Sequence, residues 1–144
     1  MPPEGNLIRP ASRPAEELLR SLGRKEDVDE VRARFGAFLS EKVSPGAFER
    51  DRGGAPFSRE LLREAGRLGL FGFTVPAEVG GQGRNWRDWG LVLHELCYQC
   101  TDTAFPMLLA YCGTVTKLLW ETKRADLIDR YVRPMASGEC FGGF

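Results

Sequence analysis

The stretch LGLFGFTVPAEVGGQG, Leu68–Gly83, sets five glycines and one proline in sixteen residues of a chain whose other patterns are helical. Three readings compete: a glycine-rich loop that cradles phosphate, a turn between two helices, or a wall of a ligand cleft. The residues argue against the first. A P-loop needs a glycine-lysine pair followed by Ser or Thr, placed after a strand. Here the glycines follow a helical pattern and no lysine is present. A dinucleotide fingerprint is also missing. Pro76 fixes the backbone, while Gly80, Gly81 and Gly83 permit positive φ. Composition therefore supports a tight, well-defined turn.

Outward from the turn, helical spacing dominates. On its N-terminal side RELLREAGRLG carries the apolar stripe Leu61, Leu62, Ala65 and Leu68, with Ser58 as its cap and Gly69 as its stop. Upstream, SPGAFERDRGGAP reads as a linker. EDVDEVRARFGAFLSEKV repeats Val28, Val31, Phe35, Phe38 and Leu39 at helical intervals. A short helix is expected after Pro14, and residues 1–13 read as a flexible lead-in. On the C-terminal side RDWGLVLHELCYQC places Trp89, Val92, Leu93, Leu96, Cys97 and Cys100 on one stripe. Thr101 and Asp102 break that helix and cap the next. FPMLLAYCGTVTKLLW is apolar nearly all round, so it is either buried on most sides or lines a cavity. KRADLIDRYVRPMASG is a last amphipathic helix with Leu127, Ile128, Tyr131 and Val132 on one face, loosened near its end by Pro134. ECFGGF reads as the start of a strand.

Bulk composition removes several function classes. Acidic and basic residues balance at 20 each, so no basic field exists for nucleic acid or an anionic membrane. The apolar runs are too short to span a bilayer, and the N-terminus lacks the apolar core of an export signal. A cytoplasmic location is expected. Cys97 and Cys100 form a C-x-x-C, with Cys112, Cys140 and His94 as the only other soft ligands. Structural zinc sites bring two close ligand pairs, so the favoured reading is free thiols in a helical core and no metal. His94 is the single histidine. With no nucleophile near it in sequence, a structural role is favoured over catalysis. Glu95 reads as a polar group on a packed helix and Asp102 as a cap. Nothing places two carboxylates across a cleft. For Trp86, Trp89, Tyr98, Phe105, Tyr111 and Trp120 the default is core packing.

The ordered set LGLFGFTVPAEVGGQG, LVLHELCYQCTDTAF and RYVRPMASGECFGGF resembles the N-terminal helical domain of the acyl-CoA dehydrogenase family. In that family a "LGL…VPEEYGGLG" segment joins two helices, an "EELA" helix follows, and a "YLP.LASGE" segment leads into the first strand of a middle domain. The resemblance runs from about Phe35 to Phe144. It implies an all-α fold over residues 14–138, with 139–144 starting a strand of a β-barrel domain whose remainder lies outside this sequence. It also implies FAD, a tetrameric or other oligomeric assembly, and removal of hydrogens from Cα and Cβ of an acyl thioester.

Residue by residue, the resemblance implies that Ala104, Leu108, Leu109 and Cys112 line an acyl tail and that Phe144 stands beside the flavin. His94 stands where the family usually has Glu, and Val79 where it often has Tyr. No catalytic residue is expected in this chain, because the family's glutamate base belongs to a C-terminal bundle. The expected function is one wall of an acyl and flavin cleft, completed by a barrel and bundle chain or by a homo-oligomer. The alternatives are a non-catalytic interaction or regulatory module, whose ECFGGF edge pairs with a partner strand, and part of a flavin oxidase or monooxygenase.

Overall fold

The computed structural model describes residues 25–143. The lead-in, the helix expected after Pro14 and the flavin contact expected of Phe144 lie outside the described residues.

The chain is a packed set of helices in the order α1 (Lys25–Phe38), a π-turn (Leu39–Val43), a 3-10 turn (Ser44–Gly46), α2 (Ala47–Gly53), α3 (Arg59–Arg67), α4 (Trp86–Gln99) and α5 (Ala104–Glu121). A final helical stretch runs through α6 (Ala125–Leu127), a second π-turn (Ile128–Val132) and α7 (Arg133–Ala136). The linker expected at 44–56 is thus itself largely helical. Its Pro45 sits in the first turn of the 3-10 segment, where a missing N–H costs nothing. Gly54 closes α2 in a left-handed conformation, φ 63°. Residues 139–143 form no strand. A strand needs a second extended segment to exchange hydrogen bonds with, and the described residues offer none.

Caps follow the sequence signals. The Ser58 hydroxyl accepts from the Leu61 N–H at 3.2 Å, and the Asn85 side chain accepts from the Asp88 N–H at 2.9 Å. The Asp102 carboxylate takes the Ala104 N–H at 3.0 Å. Pro134 sits in the first turn of α7, one residue past the second π-turn, where a missing N–H is tolerated.

The main core joins α1, α3, α4 and α5 through Phe35, Leu39, Leu62, Trp89, Leu96, Phe105 and Leu109. Phe105 is clamped by Phe38 and Phe57, with ring centroids 5.9 and 5.6 Å away. A smaller cluster, Val75, Val79, Val132 and Ala136, ties the turn to the last helical stretch.

The turn 68–84 is anchored in the core through Leu70, Phe71, Val75 and Val79, all buried, while Ala77, Glu78, Gly80, Gly83 and Arg84 face solvent. The amides of its second arm, Val79 to Arg84, are satisfied within the turn. Gly81 N donates to Pro76 O at 3.0 Å, Gln82 N to Gly72 O at 3.1 Å, Gly83 N to Val75 O at 2.8 Å and Arg84 N to Phe73 O at 3.0 Å. Gly81 is required by close approach, since a Cβ there would run into the carbonyl oxygens of Val75 and Gly72. Gln82 locks the turn to its neighbours. Its Nε2 donates to Gly69 O at 2.7 Å, and its Oε1 accepts from Arg34 of α1 at 2.9 Å.

Gly81→Ala is expected to cost about 1–3 kcal/mol through overpacking. Gly90→Ala, in the exposed middle of α4 with open space beside it, is expected to gain roughly 0.5–1 kcal/mol. Urea denaturation midpoints of the two variants should move in opposite directions.

Candidate functional site

Helix α5 has more apolar surface than the core covers. Leu109 and Cys112 are buried, at 0% and 1% exposure, and pack inward with Phe105. The opposite side presents Met107, Tyr111 and Leu118 at 54%, 44% and 57% exposure. Ala104 is exposed and Leu108 half-buried on the same outer side. Of the four residues expected along an acyl tail, the fold therefore sets Ala104 and Leu108 towards the outer face. Leu109 and Cys112 stand behind it.

The C-terminal segment lies across α5. Cys112 Sγ donates to Gly142 O at 3.3 Å, and Phe141 packs edge-on against Phe71 with centroids 5.3 Å apart. A side chain at Gly142 would meet Val115 and Met135. The segment bearing Phe144 thus begins beside the middle of the apolar helix.

The default of core packing fits Trp89 and Phe105, which are 2% and 0% exposed. It does not fit Trp86, Tyr98 and Tyr111, which are exposed. Helical spacing marks a residue's face but not which face the fold covers. All four cysteines are free thiols, and Cys97 is exposed rather than in the core. Burial pushes the Cys97, Cys100, Cys112 and Cys140 thiols above the ordinary range. Among the described residues no three His, Cys, Asp or Glu side chains converge on a point that could hold a metal.

Two buried carboxylates escape the sequence reading as ion-pair partners. Glu95 of α4, 1% exposed, accepts from Arg32 Nε of α1 at 2.7 Å and from Gln99 at 3.3 Å. The bond to Glu95, partly offset by burial, holds the Arg32 guanidinium above its ordinary value. The other oxygen, Oε1, has no hydrogen-bond partner and stands 3.5 Å from His94 Nδ1. His94 is otherwise half in solvent, so the geometry supports a structural place beside Glu95. Asp102, 6% exposed, pairs with Arg50 Nε of α2 at 2.6 Å, and Arg50 also donates to Val43 O. No spacing rule links residues so far apart along the chain, so neither pair is visible in the sequence.

The glycine turn offers no cradle for the pyrophosphate of a flavin. Its amides from Val79 to Arg84 are all engaged within the turn, which leaves none to donate to a ligand.

Residues 25–139 match the family model described as the acyl-CoA dehydrogenase N-terminal domain. The chain belongs to the acyl-CoA dehydrogenase family. It is 33% identical to benzylmalonyl-CoA dehydrogenase of Aromatoleum aromaticum, over 79% of this chain and 30% of that protein. A solved structure described as a putative acyl-CoA dehydrogenase from Mycobacterium smegmatis superposes with a TM-score of 0.67 at 30% identity, covering 92% of this chain and 31% of that one. A chain in a structure of the electron transferring flavoprotein of Acidaminococcus fermentans shares the fold, with a TM-score of 0.71 at 22% identity, over 83% of this chain and 31% of that one. The chain thus spans under a third of the length of these relatives. No described helix is long and apolar enough to cross a membrane.

Two outcomes are expected. Arg32→Ala strands a buried carboxylate and should cost about 1–3 kcal/mol. Glu95→Gln, which frees a half-exposed arginine to reach water, should cost less, and thermal melts of the two variants decide the order. In native alkylation with a maleimide, Cys97 should react first, with Cys100 and Cys112 protected until unfolding. Because burial raises these pKa values, the rate should climb only above the usual thiol range.

Proposed function

We propose that this chain forms one wall of the acyl and flavin cleft of an FAD-dependent acyl-CoA, or acyl-carrier-protein, dehydrogenase-like enzyme that acts on an acyl thioester. The observation that carries the reading is the outer face of α5, an uncovered apolar stripe on a helix whose other side is already in the core. Apolar walls with few polar groups are what small-ligand sites use. In this reading Ala104 and Leu108 touch the acyl tail, while Leu109 and Cys112 back the wall and fix its position. Phe144 stands beside the flavin. The thioester end lies near the segment 141–143, which crosses α5 at Cys112. The redox step and the proton abstraction belong to the complementary barrel and bundle. The enzyme works in the cytoplasm. The names of the relatives support dehydrogenation of acyl-CoA over oxidase or monooxygenase chemistry.

The test is reconstitution. The purified 144-residue polypeptide is expected to bind no flavin and to show no acyl-CoA-dependent dye reduction; both should appear when the complementary barrel and bundle are supplied. Dye reduction by the chain alone would overturn the assignment. In the reconstituted enzyme Leu108→Trp should raise KM for long acyl thioesters about 10-fold, the scale of a misfit in an apolar pocket, with little change for short ones.

A further inference from the structure

A small cavity lies between α1, α4 and the exit of the glycine turn, and no residue of α5 lines it. Its volume is about 60 Å³, room for roughly four waters or for a single branched aliphatic side chain. The floor is hydrocarbon: Val31 and Phe35 of α1, Phe73 of the turn, Leu91 and Val92 of α4. Such a floor offers water no hydrogen-bond partner. The rim is charged, with Glu30 and Arg34 on α1, Arg84 at the end of the turn and Asp88 on α4. Arg84 stands 3.7 Å from Glu30 and 3.9 Å from Asp88. Both distances exceed a hydrogen bond, so its guanidinium is only loosely held. Arg34, which donates to Gln82 and to the Leu68 carbonyl, is exposed. An apolar socket sized for one side chain, inside a charged rim, is the shape that receives an anchoring residue.

The position of the socket names its occupant. Helix α1 begins at Lys25, and Val31 lies six residues further on, about 9 Å of helix rise. The sequence directly before that helix is PAEELLRSLGR, Pro14–Arg24, with three leucines, Leu18, Leu19 and Leu22, in eleven residues. Gly23 stands where the chain has to reverse in order to run back along α1. The five residues from Gly23 to Leu18 cover about 7.5 Å as helix and at most roughly 17 Å extended. Either conformation carries Leu18 to the level of Val31. The charges match as well. Glu16 and Glu17 come just before the anchor and complement Arg34 and Arg84, while Arg20 complements Glu30. We propose that residues 14–23 fold back as a strap on their own domain, with Leu18 seated in the socket between α1 and α4. The strap clamps these two helices together near the start of α1, as the Arg32–Glu95 pair does further along. The proposal is independent of the acyl assignment, since α5 takes no part in it.

The experiment uses the full chain with isotopically labelled Leu and Val methyl groups. Expected are nuclear Overhauser contacts from the Leu18 methyls to those of Val31 and Val92. Leu18→Glu should shift the methyl signals of Val31, Leu91 and Val92 and leave those of Leu62, Leu96 and Leu109, in the main core, in place. Trypsin cleavage after Arg20 should be about 10-fold faster in Leu18→Glu, because cleavage follows the population of the open form, and near the wild-type rate in Leu18→Met. Absence of the Leu18 contacts in the wild-type chain overturns the inference, and so do unmoved Val31, Leu91 and Val92 signals in Leu18→Glu. Equal cleavage rates after Arg20 in the wild type and in Leu18→Glu overturn it too. A mixture of labelled and unlabelled chains tests the other occupant: contacts that cross between chains would assign the socket to a second copy and overturn the strap. None of these outcomes bears on the cleft-wall assignment.

Discussion

A loop can occupy the interior of a protein only if its peptide groups find partners in each other. The segment 68–84 meets that constraint through a ladder of turn bonds that leaves the amides from Val79 to Arg84 paired. The ladder closes because Gly81 lets the two arms of the loop touch backbone to backbone, against Val75 and Gly72. With the loop compact, Leu70 and Phe71 reach the main core, and Val75 and Val79 reach the second one. Both cores on which α5 and the last helical stretch lean are thus joined through this turn. The same bonding engages the amides from Val79 to Arg84 of this glycine-rich motif within the turn itself.

The polar fixtures repeat this logic at longer range. Gln82 reaches both α1 and the end of α3; Glu95 ties α4 to α1; Asp102 ties the α4–α5 corner to α2. Each carboxylate is almost wholly buried while its arginine is less so. Such pairs contribute little net stability when intact, yet are costly to break on the carboxylate's behalf. Their effect is to fix the angles at which the helices meet, and hence the line along which α5 presents its outer face.

How much of this is legible in the sequence follows from what each signal encodes. The helices α1, α3, α4 and α5 are readable because apolar spacing and caps are local: Ser58 before a stripe, Gly69 after it, Thr101 and Asp102 at a corner. The segment 44–56 reads wrongly as a plain linker, since Pro and Gly punctuation hides a short helix whose only large apolar residue, Phe48, faces solvent. The family resemblance rests on the order of motifs, and the match over residues 25–139 bears it out. The site is harder. Positions along α5 can be matched one by one, but the side of the helix that the core covers depends on packing against Phe38, Phe57 and Trp89, which lie on other elements. For that reason the sequence does not tell Leu109 and Cys112 from Ala104 and Leu108. The Glu95 and Asp102 pairs are hidden by the same separation.

The two sides of α5 carry the functional argument to its end. Burying a side chain the size of Met or Leu is worth about 1.5–3 kcal/mol, and the outer face of α5 holds Met107, Tyr111 and Leu118 uncovered. A helix face meant only for water carries charges, as α1 and α3 do at Glu30, Arg63 and Arg67. On α5 the charged residues, Lys117 and Glu121, come only in the last turns, where they pair with each other at 2.7 Å. The first three turns, from Ala104 to the level of the 141–143 segment at Val115, have none. An apolar face without charge, backed by a buried core, is the kind of wall that small-ligand sites use. The proposed acyl tail meets such a wall along Ala104 and Leu108.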